Sequence, residues 1–272
     1  MQSVKEIVVS NAIPIKGLLF LTVGLLVLGW LLNTPAGLLG KADAIGYAVC
    51  HRIDIRSFHI GHRPLPLCAR CSGMYLGAVL GLCYQFFFSR RKAGTPPWRV
   101  IFVLCGFTIA FVIDGINSFL SLIPLAPTLY SPQNWLRLAT GTGLGIVMAA
   151  AIFPALNQTI WRDWKREPAI PGIKSLAGLI LLSVGMNLIL LTEHPYILYP
   201  SALISAAGVL VILTMIYTML LLITFKYENR FTSLNQLLFP FVGGFGLAIL
   251  QIIILDVLRY SVTGAWDGFH FG

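Results

Sequence analysis

Seven apolar runs, each about 20 residues long, constrain this chain more than any other feature of its sequence. They cover roughly residues 14–33, 69–88, 99–122, 135–156, 173–192, 201–225 and 237–259. A helix needs about 20 residues to cross the roughly 30 Å hydrocarbon core of a bilayer, and the runs lack the alternating pattern of a barrel strand. Only 11% of the residues are charged and 57% are hydrophobic, whereas soluble domains carry about 25% charged residues. We therefore predict an all-α integral membrane protein, with residues 1–272 forming a single domain of seven spans.

The positions of Lys and Arg predict how these spans are oriented. Twelve of the 19 basic residues belong to the N-terminal lead (Met1 to Lys16) or lie in linkers 89–99, 161–174 and 226–230, which share one side if the spans alternate. The positive-inside rule places that side in the cytoplasm, with the N-terminus inside and the C-terminus outside. Five of the other seven basic residues lie between Lys41 and Arg70. They oppose the rule, which suggests that they have local partners.

The expected partners are lipids rather than nucleic acid. The excess of Lys and Arg in the linkers that are predicted to be cytoplasmic accounts for the net charge of +9. The chain has no patch of basic and aromatic residues that would indicate binding of nucleic acid. Small residues at every fourth position allow helices to approach closely, and such faces also suit docking of other membrane subunits. Span two carries Gly73, Gly77 and Gly81, and span four carries Gly141, Gly143 and Gly145.

Residues 34–71 are predicted to form a Cys/His-rich, non-cytoplasmic loop between the first two spans. Its first part, 34–49, is too short to cross the bilayer and is expected to be an interfacial or re-entrant helix. The stretch "CHRIDIRSFHIGHRPLPLCARC" then holds three of the five cysteines and three of the five histidines. The metal-ligand candidates are Cys50, His51, His59, His62, Cys68 and Cys71.

This spacing favours a metal site, although other interpretations stay open. A C-x2-C pair holds one ion from a tight turn and takes further ligands from a distant segment. Sulfur with imidazole favours zinc, and then iron. Alternatively, Cys68 and Cys71 form a disulfide, or Cys71 is a reactive thiol at a helix N-terminus. Cys83 and Cys105 lie inside spans and are expected to be buried apolar residues.

Four segments resemble the signature of an uncharacterised family of predicted prokaryotic membrane proteins, a domain of unknown function. They are "CHRIDIRSF", "PLCARCSGMYLG", "DGINSFL" (114–120) and "NWLRLATGTGLG" (134–145), so the resemblance covers about residues 45–146. The family often has Gln where this chain has Asn117. The resemblance implies no established activity. It implies that the constellation recurs as a unit, in a multi-pass protein of the prokaryotic inner, or cytoplasmic, membrane.

Polar residues inside the spans provide the candidates for chemistry, because buried ionisable groups in a membrane are expensive. Asp114, Asn117 and Arg137 are the catalytic candidates, and we expect Asp114 to pair with Arg137. With the predicted orientation, these residues share the outer half of the membrane with Asn187 and Asp256. A packing network, a cavity for an anionic headgroup and a transport path each explain this placement.

Two histidines are candidates for binding a cofactor. His194 and His270 could ligate a pigment or haem, but a single histidine at the end of a span is more often an interfacial residue. The chain has no C-x-x-C-H sequence for covalent haem. Neither haem nor a pigment is therefore expected.

The sequence favours a metal-binding accessory subunit of a larger membrane assembly, such as a respiratory or photosynthetic complex. One alternative is a metal-dependent enzyme that acts on a lipid or isoprenoid headgroup at the outer leaflet. A thiol redox protein and a small-solute transporter are further alternatives. Whether the protein is an enzyme is open at this stage.

Overall fold

The computed structural model describes residues 2–123, 125 and 127–266, with side chains from Lys16 onward. Its helices are α1 (Gln2–Asn33), α2 (Gly37–Val49), α3 (Ala69–Phe88), α4 (Trp98–Leu120), α5 (Asn134–Ile160), α6 (Ile173–Leu190), α7 (Pro195–Thr224) and α8 (Leu238–Thr263). Strands β1 (His59–Ile60) and β2 (Arg63–Pro64) pair antiparallel, and β3 (Lys92–Gly94) and β4 (Lys165–Pro168) pair parallel. Short 3-10 turns lie at Asp54–Arg56 and Leu234–Leu237.

The prediction of an all-α polytopic membrane protein is confirmed. Within the described part of the chain, seven helices are long and apolar enough to cross a membrane, and they coincide with the seven apolar runs. Helix α2, with 13 residues, is the exception. The orientation of the spans stays a prediction.

Helices α3 and α5 pack most closely, because the glycines of each lie against the backbone of the other. A Cβ atom on Gly73 would lie 2.3 Å from the carbonyl oxygen of Leu138, and one on Gly145 would lie 2.1 Å from that of Met74. Such distances exclude any side chain at these positions unless the helices separate. The glycine faces therefore lie inside the bundle. They are not free to contact other subunits, as had been expected.

A small parallel sheet marks the end of the bundle opposite the loop 34–71. Strand β3 follows α3 and β4 follows α5, so both lie where those helices end. Arg91 pairs with Asp163, and Lys92 Nζ lies 2.8 Å from Glu167 Oε2. These contacts tie together two of the linkers that are predicted to be cytoplasmic.

The predicted helix within 34–49 is present as α2, and it packs into the bundle against α7 and α8. Ala44 and Tyr47 are fully buried there. The last carbonyl groups of a helix need donors from elsewhere, and Arg259 of α8 supplies them. Its Nη1 donates to the carbonyl oxygens of Tyr47 and Cys50, both at 2.6 Å. This contact fixes the end of α2, where the first cysteine lies.

Candidate functional site

Three cysteines from the two ends of the loop meet in one place. Cys50 follows α2, Cys68 precedes α3, and Cys71 lies in the first turn of α3. Their sulfur atoms all lie within 4.8 Å of one another. In a tetrahedral zinc site with Zn–S bonds of about 2.3 Å, the sulfurs are about 3.8 Å apart. The three thiols are therefore within roughly an ångström of the spacing that a bound metal requires.

The environment of Cys50 stabilises a thiolate. All three cysteines are free thiols, and Cys50 Sγ accepts hydrogen bonds from the backbone N–H groups of Cys68 (3.4 Å) and Arg52 (3.5 Å). Hydrogen bonds from the Cys68 and Cys71 thiols lower the pKa of Cys50 well below its usual range. The same contact with Cys50 raises the pKa of Cys68 to about 12. The two backbone donors also favour the thiolate form of Cys50, and a cation that binds there favours loss of the other protons.

The structure does not bring the three loop histidines into this thiol group. Among the described residues, only the three thiols lie within mutual ligand distance. His59 Nε2 lies 3.0 Å from Asp54 Oδ1, and His62 is exposed. His51 Nδ1 accepts a hydrogen bond from the backbone N–H of Ile53 at 3.2 Å, and burial lowers the pKa of His51. His51 directly follows Cys50 in the chain, so it is the loop histidine that is nearest to a clustered thiol in the sequence.

Asp114 is a buried acceptor for several side chains, and its ion partner is Arg70 rather than the expected Arg137. Arg70 Nε lies 3.0 Å from Asp114 Oδ2, and Arg70 also donates to the carbonyl oxygen of Asp114 at 2.9 Å. Tyr130 donates its hydroxyl to Oδ1 at 2.8 Å, and Thr140 donates to Oδ2 at 3.2 Å. The side chain of Arg70 reaches Asp114 from the first turn of α3, a contact that proximity along the chain did not indicate.

Three guanidinium groups converge on Ser118, and we call Arg56, Arg70 and Arg137 the arginine cluster. Arg56 Nη2 donates to the Ser118 carbonyl oxygen at 2.6 Å, Arg70 Nη2 donates to Ser118 Oγ at 2.8 Å, and Arg137 Nε lies 3.4 Å from that Oγ. Arg137 Nη1 donates to Asn134 Oδ1 at 2.9 Å. Burial, and then the charge of Arg70, lower the pKa of Arg56. The cluster therefore gathers three positive charges beside one carboxylate.

Asn117 fastens the loop between α4 and α5. Its side-chain amide donates to the carbonyl oxygen of Tyr130 at 2.9 Å, and its carbonyl oxygen accepts from the backbone N–H of Leu129 at 2.7 Å. Both polar ends of Asn117 are thus bound to backbone groups, as expected of a residue that shapes a loop.

The other polar residues inside the spans also have protein partners. Asn187 accepts a hydrogen bond from Thr142 at 2.9 Å, which joins α6 to α5. Trp30 donates to Asp256 at 3.2 Å, which joins α1 to α8. These contacts join neighbouring helices.

Among the described residues, the histidine and the two cysteines outside the loop are not part of the thiol group. His194 is exposed, and its ring stacks on Tyr196 with centroids 5.4 Å apart. His270 lies outside the described residues. Cys83 and Cys105 are exposed on the helix surfaces, so the expectation that they are buried is wrong. Their exposure makes them useful comparisons for the three clustered thiols.

The segments that carry the family resemblance contain the residues of this site. Arg56, Arg70, Asp114, Ser118 and Arg137 all lie within the four quoted segments. Asp114 and Arg137 were candidates from the sequence, whereas Ser118 and the contacts of Arg70 with both Asp114 and Ser118 were not predicted. The sequence feature that could have indicated this contact is the position of Arg70 between Cys68 and Cys71.

Comparison with known proteins gives a family match over the same part of the chain. Residues 50–151 match a family described as "Predicted membrane protein (DUF2085)". An uncharacterized protein of Methanocaldococcus jannaschii is 27% identical over 124 residues, which cover 45% of this chain and 72% of that relative. An uncharacterized protein of Methanothermobacter thermautotrophicus is 30% identical over 102 residues, which cover 37% of this chain and 81% of that relative. No solved structure matches the chain.

Proposed function

The chain belongs to the predicted membrane protein family DUF2085, and we propose that it binds one metal ion through the thiolates of Cys50, Cys68 and Cys71. The observation that carries the proposal is the approach of three sulfur atoms to within 4.8 Å of one another. Two of them come from residues 18 positions apart, Cys50 and Cys68. Only a particular path of the loop brings these residues together.

The donor set suits zinc or another soft metal ion, and it favours a metal over a disulfide. Thiolate ligands select zinc and other soft ions. A disulfide joins two sulfurs and leaves the third as an isolated buried thiol, whereas one metal ion uses all three. The two backbone N–H groups that donate to Cys50 Sγ stabilise a thiolate in the way that outer hydrogen bonds support metal ligands. A fourth position is left for His51 or for water.

The contacts support a structural role for this metal. An ion held by Cys50 and Cys71 would join the end of α2 to the start of α3, in addition to the cap from Arg259. The catalytic candidates Asp114 and Asn117 are bound to neighbouring protein groups, which leaves them poorly suited to activate a substrate.

We further propose that the protein serves as an accessory subunit in a prokaryotic cytoplasmic membrane. Support comes from the exposed apolar side of α4, including Phe102, Ile109 and Ile116, which offers area for lipids or for a neighbouring protein. Hydrolysis of a lipid or isoprenoid headgroup is the second candidate function, and the closeness of the arginine cluster to the cysteines favours it. Arg70 of the cluster lies between Cys68 and Cys71 in the chain, in the first turn of α3.

Metal analysis of the purified protein tests the proposal. We expect close to one zinc per chain from protein that was solubilised in mild detergent under reducing conditions, with loss of the metal in the C50S, C68S and C71S variants. C83S and C105S are the matched controls, because these exposed cysteines should leave the metal content unchanged. Protein without metal, with its thiols intact, would overturn the proposal.

Two further measurements separate the subunit role from the enzyme. A partner that co-purifies from native membranes with wild-type protein, and no longer with C50S, supports an accessory role that depends on the metal. Turnover of an added lipid by metal-loaded protein, abolished by R137Q with the metal retained, supports the enzyme and contradicts the structural role.

A further inference from the structure

Two arginines are buried without a carboxylate partner. Arg56 and Arg137 are each only 5% exposed. In the described part of the chain, the ion pair of this region joins Arg70 to Asp114, and no ion pair includes Arg56 or Arg137. A buried charge without a counter-charge is strongly destabilising. A further negative group beside Arg56 and Arg137 would therefore stabilise the structure.

The proposed metal site does not supply enough negative charge. Three arginines and Asp114 leave two positive charges in excess. A divalent ion with three thiolates has a net charge of minus one, so one positive charge would remain even with the metal bound. The argument for a further anion therefore holds with or without the metal, and it goes beyond the proposed metal-binding function.

The guanidinium groups retain donors for such an anion. The hydrogen bonds of Arg56 use Nη2, to Ser118 and Ser121. Those of Arg137 use Nε and Nη1, to Ser118 and Asn134. Within the residues that the structure describes, Nε and Nη1 of Arg56 and Nη2 of Arg137 have no acceptor. Free guanidinium N–H groups match the oxygens of a phosphate group.

The cluster lies where the headgroups of a bilayer would lie. It sits at the end of α4, at the start of α5 and beside the 3-10 turn that contains Arg56. The first N–H groups of α5 have no side-chain cap, and a helix N-terminus favours an anion. Ile55 is 75% exposed and Trp135 is 52% exposed, as expected of side chains that contact the interface of a membrane.

We propose that the arginine cluster binds a phosphate group, held mainly by Arg56 and Arg137. Arg70 remains paired with Asp114 and contributes to the positive potential. The phosphate belongs either to the headgroup of an anionic lipid or to a free phosphate ion, and the chemistry of recognition is the same for both.

Binding to delipidated wild-type protein tests the proposal and separates the two sources. Native mass spectrometry and thermal unfolding would be followed during titration with inorganic phosphate, with short-chain phosphatidic acid and with diacylglycerol of the same chain length. We expect saturable binding of phosphatidic acid and none of diacylglycerol, since the two differ only in the phosphate. Competition by inorganic phosphate assigns the site to the free ion as well. Failure of both phosphate compounds to bind saturably overturns the proposal.

Substitutions then locate the site. The R56Q/R137Q variant should bind phosphatidic acid at least about tenfold more weakly, because each lost charge-assisted hydrogen bond contributes about that factor or more. The variant R162Q is the control, since Arg162 is exposed on the linker before β4. The R56K/R137K variant keeps the charge and guards against loss of folding.

The sign of the stability change gives a second readout. Without ligand, R56Q/R137Q should unfold at a higher temperature than wild type, because it removes charges that repel one another. With saturating phosphatidic acid the order should reverse. Binding by R56Q/R137Q that equals wild-type binding overturns the assignment to these arginines. The metal content of each variant is measured in parallel, so failure of this proposal remains distinguishable from failure of the metal site.

Discussion

Replacing Asp114 by Asn removes the carboxylate that lies beside the arginine cluster and keeps the size of the side chain. The side chain of Asp114 is 1% exposed and that of its partner Arg70 is 15% exposed. Breaking a buried ion pair by removing one partner costs about 3–5 kcal/mol, since the other charge stays buried without compensation. Asn retains an acceptor for the Tyr130 hydroxyl. We therefore expect the free energy of unfolding to fall by about 3 kcal/mol, at the lower end of that range.

Asp163 provides the matched comparison, because it pairs with Arg91 while 57% of its side chain is exposed. Surface ion pairs contribute about 0–1 kcal/mol, so D163N should change the free energy of unfolding by less than about 1 kcal/mol. Both variants would be unfolded in mixed micelles by increasing the fraction of SDS, with helicity and tryptophan fluorescence as readouts. The double variant R70M/D114L should recover most of the loss, since well-packed apolar residues often replace a buried pair without cost. Equal, small losses for D114N and D163N would refute the reasoning.

Two further substitutions test the packing of the bundle. G145A should destabilise the protein by about 1–3 kcal/mol or prevent α3 and α5 from packing, because the added Cβ would lie 2.1 Å from the Met74 carbonyl oxygen. G106A, with open space at that position, should leave the unfolding midpoint unchanged or raise it slightly, because Ala favours a helix over Gly. N117A should free the loop between α4 and α5, because it removes the hydrogen bond to the Tyr130 carbonyl oxygen; limited proteolysis should then cut that loop faster than in wild type, and an equal rate would contradict the role assigned to Asn117.

The arrangement of the spans followed directly from the sequence, because the bilayer imposes a length and a polarity on each segment. The apolar runs correspond to helices, and the short segment before Cys50 corresponds to α2. The clustering of the three cysteines also agrees with the spacing that indicated a metal site. The spans and α2 depend on local sequence, which is why they could be predicted.

The partners of buried side chains depend on how helices pack, and the sequence did not predict them. Asp114 was expected to contact Arg137 because a short loop joins their helices, but the longer reach of Arg70 gives it the carboxylate. The glycine faces of α3 and α5 were interpreted as surfaces for other proteins, whereas they contact each other. The glycines in the sequence indicated which helix faces approach another helix closely, but they did not indicate which helix that is.

The contact between Arg259 and the end of α2 has a consequence for synthesis of the chain. The carbonyl groups of Tyr47 and Cys50 precede their donor by 212 and 209 residues. At a synthesis rate of about 5–20 residues per second, that donor emerges roughly 10–40 s after the carbonyl groups. For most of this interval all three clustered cysteines already exist, but the helix end that positions the first of them lacks its cap. The ligands are therefore made early, and their site reaches its final shape only when the last span has been added.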